Sequence, residues 1–164
     1  MAKDRPHPPK SRRLWRLSQA FLNSAGGDMG PDNLDLDRYY SLEELGGTNP
    51  GKLKPMSIKI GDKIFSTDSW SSLCVDLVAF LYQSGVLKDK HIPMFTYNER
   101  DKYFINKEPI QSIRHMDSNF KPVPNTPLFV DVKYRADYHV KNLLYMFNKL
   151  KLNAGAIEFK FRLA

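Results

Sequence analysis

The chain has a single cysteine, Cys74, in 164 residues. An intrachain disulfide is therefore impossible, and so is a zinc site built on several thiolates. No apolar run approaches the roughly 20 residues that cross a bilayer. The basic N-terminus has no apolar stretch behind it, so neither a membrane span nor a secretory leader is expected. The 9 glycines stand alone or in pairs, without a Gly-rich phosphate loop. No serine sits in a nucleophile elbow. The four histidines, His7, His91, His115 and His139, are not spaced to share a metal, and His139 is expected on the polar side of a helix. Cys74 lies on an apolar stripe, which argues against a Cys–His nucleophile. These absences favour a cytoplasmic protein with no metal and no cofactor, and they make an enzyme the weaker class.

What is present is a core and a charge. Hydrophobic residues make up 41% of the chain and aromatics 12%, enough for one compact domain. The net charge is +7, which suits an acidic partner such as nucleic acid. Residues 1–16 carry Lys3, Arg5, Lys10, Arg12, Arg13 and Arg16 against Asp4, giving +5. Residues 28–45 carry Asp28, Asp32, Asp35, Asp37, Glu43 and Glu44 against Arg38, giving −5. These blocks cancel, so the excess lies beyond residue 50. They read either as two solvated segments or as an acidic stretch that folds back on a basic arm.

Three regions follow. Residues 1–27 form a basic, proline-containing arm in which Leu14, Leu17, Phe21 and Leu22 repeat at helical spacing. Residues 28–55 read as an acidic linker containing Gly and Pro, with one helical turn at Ser41–Leu45 and a capping box of Ser41 and Glu44. Residues 56–164 are the expected compact domain. Ser57–Ile60 and Lys63–Phe65 flank a Gly61-Asp62 turn, the signature of a hairpin. Asp68-Ser69 caps a helix whose Trp70, Leu73, Cys74, Leu77, Phe80 and Leu81 form an apolar stripe ending at Gly85. Residues 86–127 read as irregular apart from a short strand at Tyr103–Ile105. A strand over Leu128–Tyr134 precedes a helix over Asp137–Leu150, and Ile157–Leu163 alternates as a half-buried strand. The expected fold class is α+β. Its order is ββα–loop–βαβ, with a small, mainly antiparallel sheet and two amphipathic helices on one face. The open face would carry Lys59, Lys63, Lys160 and Arg162.

The residues offer three kinds of chemistry. Lys133, Arg135, His139 and Lys141 surround the expected start of the second helix. A helix N-terminus presents N–H groups and a favourable dipole to phosphate, and Tyr134 and Tyr138 are placed to stack on a base. The bland reading is a solvated cap with tyrosines packed on the core. The irregular segment adds Arg100, Lys102, Lys107, Arg114 and Lys121, interleaved with Tyr97, Tyr103 and Phe120. Secondly, Asp131-Val132-Lys133 matches the short half of a restriction-type metal site, a tripeptide that any strand end can generate. Asp32–Asp37 resembles part of a calcium loop but lacks its glycine and closing Glu. Thirdly, Arg12, Arg13, Trp15 and Arg16 lie on the amphipathic segment 12–23, a candidate for docking a larger protein effector.

The run SIKIGDKIFSTDSWSSLCVDLVAFLYQSGVL, the stretch from Tyr103 to Leu152 and the closing IEFKFRL resemble an accessory module at the C-terminus of bacterial restriction and defence proteins of the nuclease-associated type. The likeness spans roughly residues 41–163, including the leader SLEELGGTNPGKLKP. It implies a bacterial or phage setting and a part in nucleic-acid defence, and it carries no catalytic signature. No nuclease domain precedes the module here, which implies a separate subunit or a module reused alone. The leading expectation is a non-enzymatic module that binds DNA or RNA through Lys133, Tyr134, Arg135, Tyr138, His139 and Lys141. The alternatives are a protein-interaction subunit and, behind it, a divalent-metal nuclease.

Overall fold

The computed structural model describes residues 35–46, 50–112 and 117–163. The expected arm, its amphipathic segment and the docking residues Arg12, Arg13, Trp15 and Arg16 lie outside them, as do His7, Arg114 and His115.

The chain enters the fold earlier than its composition suggests. Strand β1 (Tyr40–Ser41) leads into the single turn α1 (Leu42–Leu45). Ser41 Oγ accepts from Glu44 N, and the Glu44 carboxylate accepts from Ser41 N, which completes the expected capping box. Tyr40, Leu42 and Leu45 are all fully buried. The expected linker up to residue 55 is therefore corrected. Its middle, Tyr40 to Leu45, is part of the core, because Tyr40, Leu42 and Leu45 find apolar partners that a tally of Gly and Pro does not reveal. Strand β2 (Leu53–Ile60) also starts before the expected boundary at Met56.

Strand β3 (Lys63–Ser66) returns through the Gly61-Asp62 turn, with Gly61 at φ 60°, the left-handed conformation that favours glycine. Helix α2 (Trp70–Gln83) follows, capped by Ser69, whose Oγ accepts from Ser72 N. The segment expected to be irregular contributes to a second sheet. It supplies β4 (Met94–Phe95), the expected strand β5 (Tyr103–Asn106) and β6 (Phe120–Pro122), which join β7 (Phe129–Asp131), a shorter form of the strand expected over Leu128–Tyr134. Helix α3 (Ala136–Lys149) and strand β8 (Ile157–Leu163) complete the chain. All pairings are antiparallel, in the orders β1-β8-β2-β3 and β4-β5-β7-β6. The fold class is α+β, with two sheets where one was expected. Three of the four strands of the second sheet have at most three residues in register, too few to leave a periodic signature.

Side chains of β8 alternate as the sequence requires. Ile157, Phe159 and Phe161 face inward, while Glu158, Lys160 and Arg162 face out. Lys59 lies outward opposite Ile64 and beside Glu158. Lys63 departs from the expected open face. It pairs with Ile60, and its Nζ sits 5.7 Å from the Phe80 ring of α2.

One buried cluster runs from the inner face of the first sheet, through α2 and α3, to Phe104, Ile105 and Val130 of the second. Trp70 anchors it. Its ring lies against Phe161 and stacks on His139, and its Nε1 donates to the Leu53 carbonyl at 3.1 Å. Phe159, fully buried and paired with both β1 and β2, is the most central side chain of the first sheet. Phe159→Ala is expected to lower stability by about 3–5 kcal/mol, read from urea unfolding. A loss below about 1 kcal/mol would be incompatible with a core role.

Candidate nucleic-acid interface

Helix α3 begins where the second sheet ends, and a buried carboxylate fixes the junction. Asp131, at the end of β7, has no exposed surface. Its Oδ1 accepts from Asn119 N at 2.9 Å and Lys133 N at 3.2 Å. Its Oδ2 accepts from Tyr134 OH at 3.1 Å and Gln111 Nε2 at 3.3 Å. Gln111 in turn grips the backbone of Tyr103 on both sides, accepting from its N–H at 2.6 Å and donating to its carbonyl at 3.0 Å. Both carboxylate oxygens are thus engaged twice, so Asp131 has little left to offer a metal. Lys133 Nζ bonds to the exposed Asp117, which holds the Asp117 carboxyl below its usual range through that hydrogen bond. Among the described residues, no group of three or more His, Cys, Asp or Glu side chains is gathered to hold a metal ion.

Past this knot, Tyr134, Arg135, Tyr138 and Lys141 of the expected residues converge, whereas Lys133 and His139 do not join them. Tyr134 and Tyr138 stack at 6.5 Å between ring centres. The guanidinium of Arg135 lies 4.9 Å from the Tyr138 ring, and Lys141 Nζ lies 5.8 Å from it. Lys133 is nearby in sequence but turned to Asp117. Arg135 also reaches Asp137 at 3.0 Å while staying 75% exposed, so it keeps most of its surface for an anion. Arg135 is the N-cap and gives the helix no side-chain cap, so no side chain of the cap competes for the amides of the first turn.

Two members of the cluster come from the segment expected to be irregular. Tyr97 meets Tyr138 edge-on at 5.6 Å, and Lys141 Nζ sits 5.6 Å from the Tyr97 ring. Lys102 Nζ lies 4.9 Å from the Tyr134 ring. The buried Asn142 fixes this approach, its Oδ1 accepting from Tyr97 N at 3.0 Å. Tyr134 is itself a hinge between surface and core. Burial, and then the adjoining Asp131 charge, push its phenol well above the usual range, so it remains a neutral donor to that carboxylate.

His139 is a correction. It was expected among the phosphate contacts, yet it is 1% exposed. It lies four residues before Leu143 and seven before Met146, so the helical repeat turns it into the core beside them. Its Nδ1 faces the Cys74 sulfur at 3.3 Å. The carbonyls of Tyr134 and Val132 also act on the ring and partly oppose the effect of its burial. Burial pulls the imidazole down to about 4, against the opposing pull of Asp131. Complete burial pushes the Cys74 thiol far up. The pair is a neutral thiol–imidazole contact inside the core and not an activated nucleophile.

No family model, no curated protein and no solved structure matches this chain. No helix among the described residues is long and apolar enough to cross a membrane.

Two stability experiments follow from the buried groups. Asp131→Asn places an amide N–H among donors and is expected to cost about 2–4 kcal/mol in urea unfolding. A variant as stable as the wild type that has lost a magnesium-dependent cleavage would restore the nuclease reading. His139 stays neutral in the folded protein down to about pH 4, while in the unfolded chain it protonates near 6.5. The unfolded state therefore binds more protons between those values. The His139 contribution is complete above about pH 6.5 and declines as pH falls toward 4, by up to about 3 kcal/mol. Urea unfolding at descending pH checks this, and an equal decline in His139→Gln would assign the acid sensitivity to other groups.

Proposed function

We propose that the N-terminal end of α3 is a nucleic-acid-binding surface and that the protein is a non-enzymatic binding module. The observation that carries this reading is the convergence of Lys102, Arg135 and Lys141 on the rings of Tyr97, Tyr134 and Tyr138. Cations attract the phosphate backbone whatever its sequence. Ring faces between them take bases by stacking. The amides at the start of a long helix add donors of the right sign. The wider role, an accessory part of a bacterial or phage restriction apparatus, rests on the likeness carried by residues 41–163 and is proposed on that ground alone.

The double variant Arg135→Glu/Lys141→Glu is expected to weaken oligonucleotide binding by a factor of roughly a hundred at low salt, since it reverses two charges at the surface. It should also flatten the dependence of log affinity on log salt by about two contacts. Both are read by fluorescence anisotropy across a salt series, on single- and double-stranded DNA and RNA. Unchanged affinity and slope would overturn this reading. It would favour the interaction reading, in which residues 1–27 dock a protein effector and their deletion abolishes capture of it.

A further inference from the structure

The aromatic and basic surface does not stop at the start of α3. Tyr138, Lys141, Tyr145 and Lys149 are spaced by three, four and four residues, so they fall on one face of the helix. The stretch from Tyr97 back to His91 runs alongside that face in the opposite direction. Tyr97 meets Tyr138 and Lys141 near the start of α3, and Phe95, Pro93 and His91 meet Tyr145 and Lys149 near its end. Asn142 stitches the two walls together through Tyr97 N. At the far end they open into a pocket of about 250 Å³ lined by His91, Pro93, Met94, Phe95, Tyr145 and Lys149.

The chemistry of this pocket suits a flat, aromatic, anion-linked ligand. Phe95 stacks on Tyr103 at 5.6 Å, which braces its ring. Tyr145 supplies a second ring on the opposite wall, and the exposed Lys149 places its Nζ 5.4 Å from that ring, in reach of a phosphate. His91 Nδ1 accepts from Lys88 N at 2.9 Å, which leaves Nε2 as the donor of the ring. The distance along the helix from Tyr138 to Lys149 is about 16 Å, a span of a few extended nucleotides.

We infer that this pocket takes an unpaired base, and that a single strand held at the N-terminal end of α3 runs along the cleft between α3 and residues 91–97 to reach it. The inference rests on the nucleic-acid reading and adds to it the strandedness of the ligand and the path it follows. A duplex is disfavoured, because one of its bases would first have to be unpaired, unstacked and flipped out, at a cost in free energy.

The test measures binding of the full chain to labelled oligothymidylate and oligouridylate, to an abasic oligomer of the same length and to a duplex. The wild type is expected to prefer the base-bearing single strands to the abasic oligomer and to the duplex by roughly tenfold or more, as one or more stacked bases would give. Comparing the two base-bearing strands separates DNA from RNA. Tyr145→Leu, and independently Phe95→Leu on the other wall, should remove most of that preference while leaving abasic binding unchanged. Two variants on separate elements guard against a loss of fold in either one, and thermal melting checks each. Equal binding of base-bearing and abasic strands, or of single strand and duplex, overturns the pocket. So does an undiminished preference in both folded variants. Abasic binding that Arg135→Glu/Lys141→Glu abolishes would in that case leave the nucleic-acid reading standing, whereas absence of binding to every oligomer at low salt removes both.

Discussion

The buried Asp131 carboxylate is the constraint on which the candidate interface depends. A carboxylate without exposed surface is tolerated only when its lone pairs are filled. Here the donors come from four separate places: the approach to β6, the turn after β7, the phenol of Tyr134 and the amide of Gln111. Gln111 passes the restraint on to β5 through Tyr103. A sheet with such short strands has few ladder bonds to hold its edges, so side-chain bonds of this kind take over part of that task. The same carboxylate fixes the ring of Tyr134 and with it the direction in which α3 leaves the sheet.

A second constraint comes from the other side of the helix. His139 packs on Trp70 and meets the Cys74 sulfur through Nδ1, so the first turns of α3 are pinned to α2 by a polar contact within an apolar layer. That contact has directional preference that aliphatic packing lacks. Between the Asp131 knot and the His139 bond, the residues that remain outward, Arg135, Tyr138 and Lys141, have no freedom to rotate as a group. The cluster of cations and rings is therefore a consequence of where two buried polar groups were placed, and its preorganisation lowers the entropy cost of binding.

The legible parts of the sequence were those with a long period. Helix α2, the hairpin at Gly61, the alternating β8 and the Ser41 capping box all repeat or pair within a few residues, and all stand where the pattern puts them. The α+β class followed from them. The second sheet was half legible: β5 and β7 fall on the strands expected at Tyr103–Ile105 and Leu128–Tyr134, whereas β4 and β6 are shorter than one cycle of any useful pattern and their partners are distant in the chain. The turn at Ser41–Leu45 was legible, but the burial of Tyr40, Leu42 and Leu45 was hidden by their setting among acidic residues and glycines. His139 was misplaced although its spacing to Leu143 and Met146 was on the page, because residue type was weighed above helical phase. Tyr145 and Lys149 were missed for the converse reason. Their phase matches that of Tyr138, but the face they share acquires meaning only once residues 91–97 are seen beside it.

That last point bears on how the interface is built. Neither wall of the cleft is a motif. Helix α3 alone offers alternating rings and cations that any solvated amphipathic helix could carry, and residues 91–97 alone offer a short edge strand. The surface arises because Asn142, buried and unable to reach water, accepts from Tyr97 N and draws the strand against the helix. Its amide nitrogen has no partner among the described residues, so the single bond to Tyr97 N carries the polar part of the contact. That bond sets residues 91–97 against α3 in the opposite chain direction, the arrangement on which the proposed path of a single strand rests.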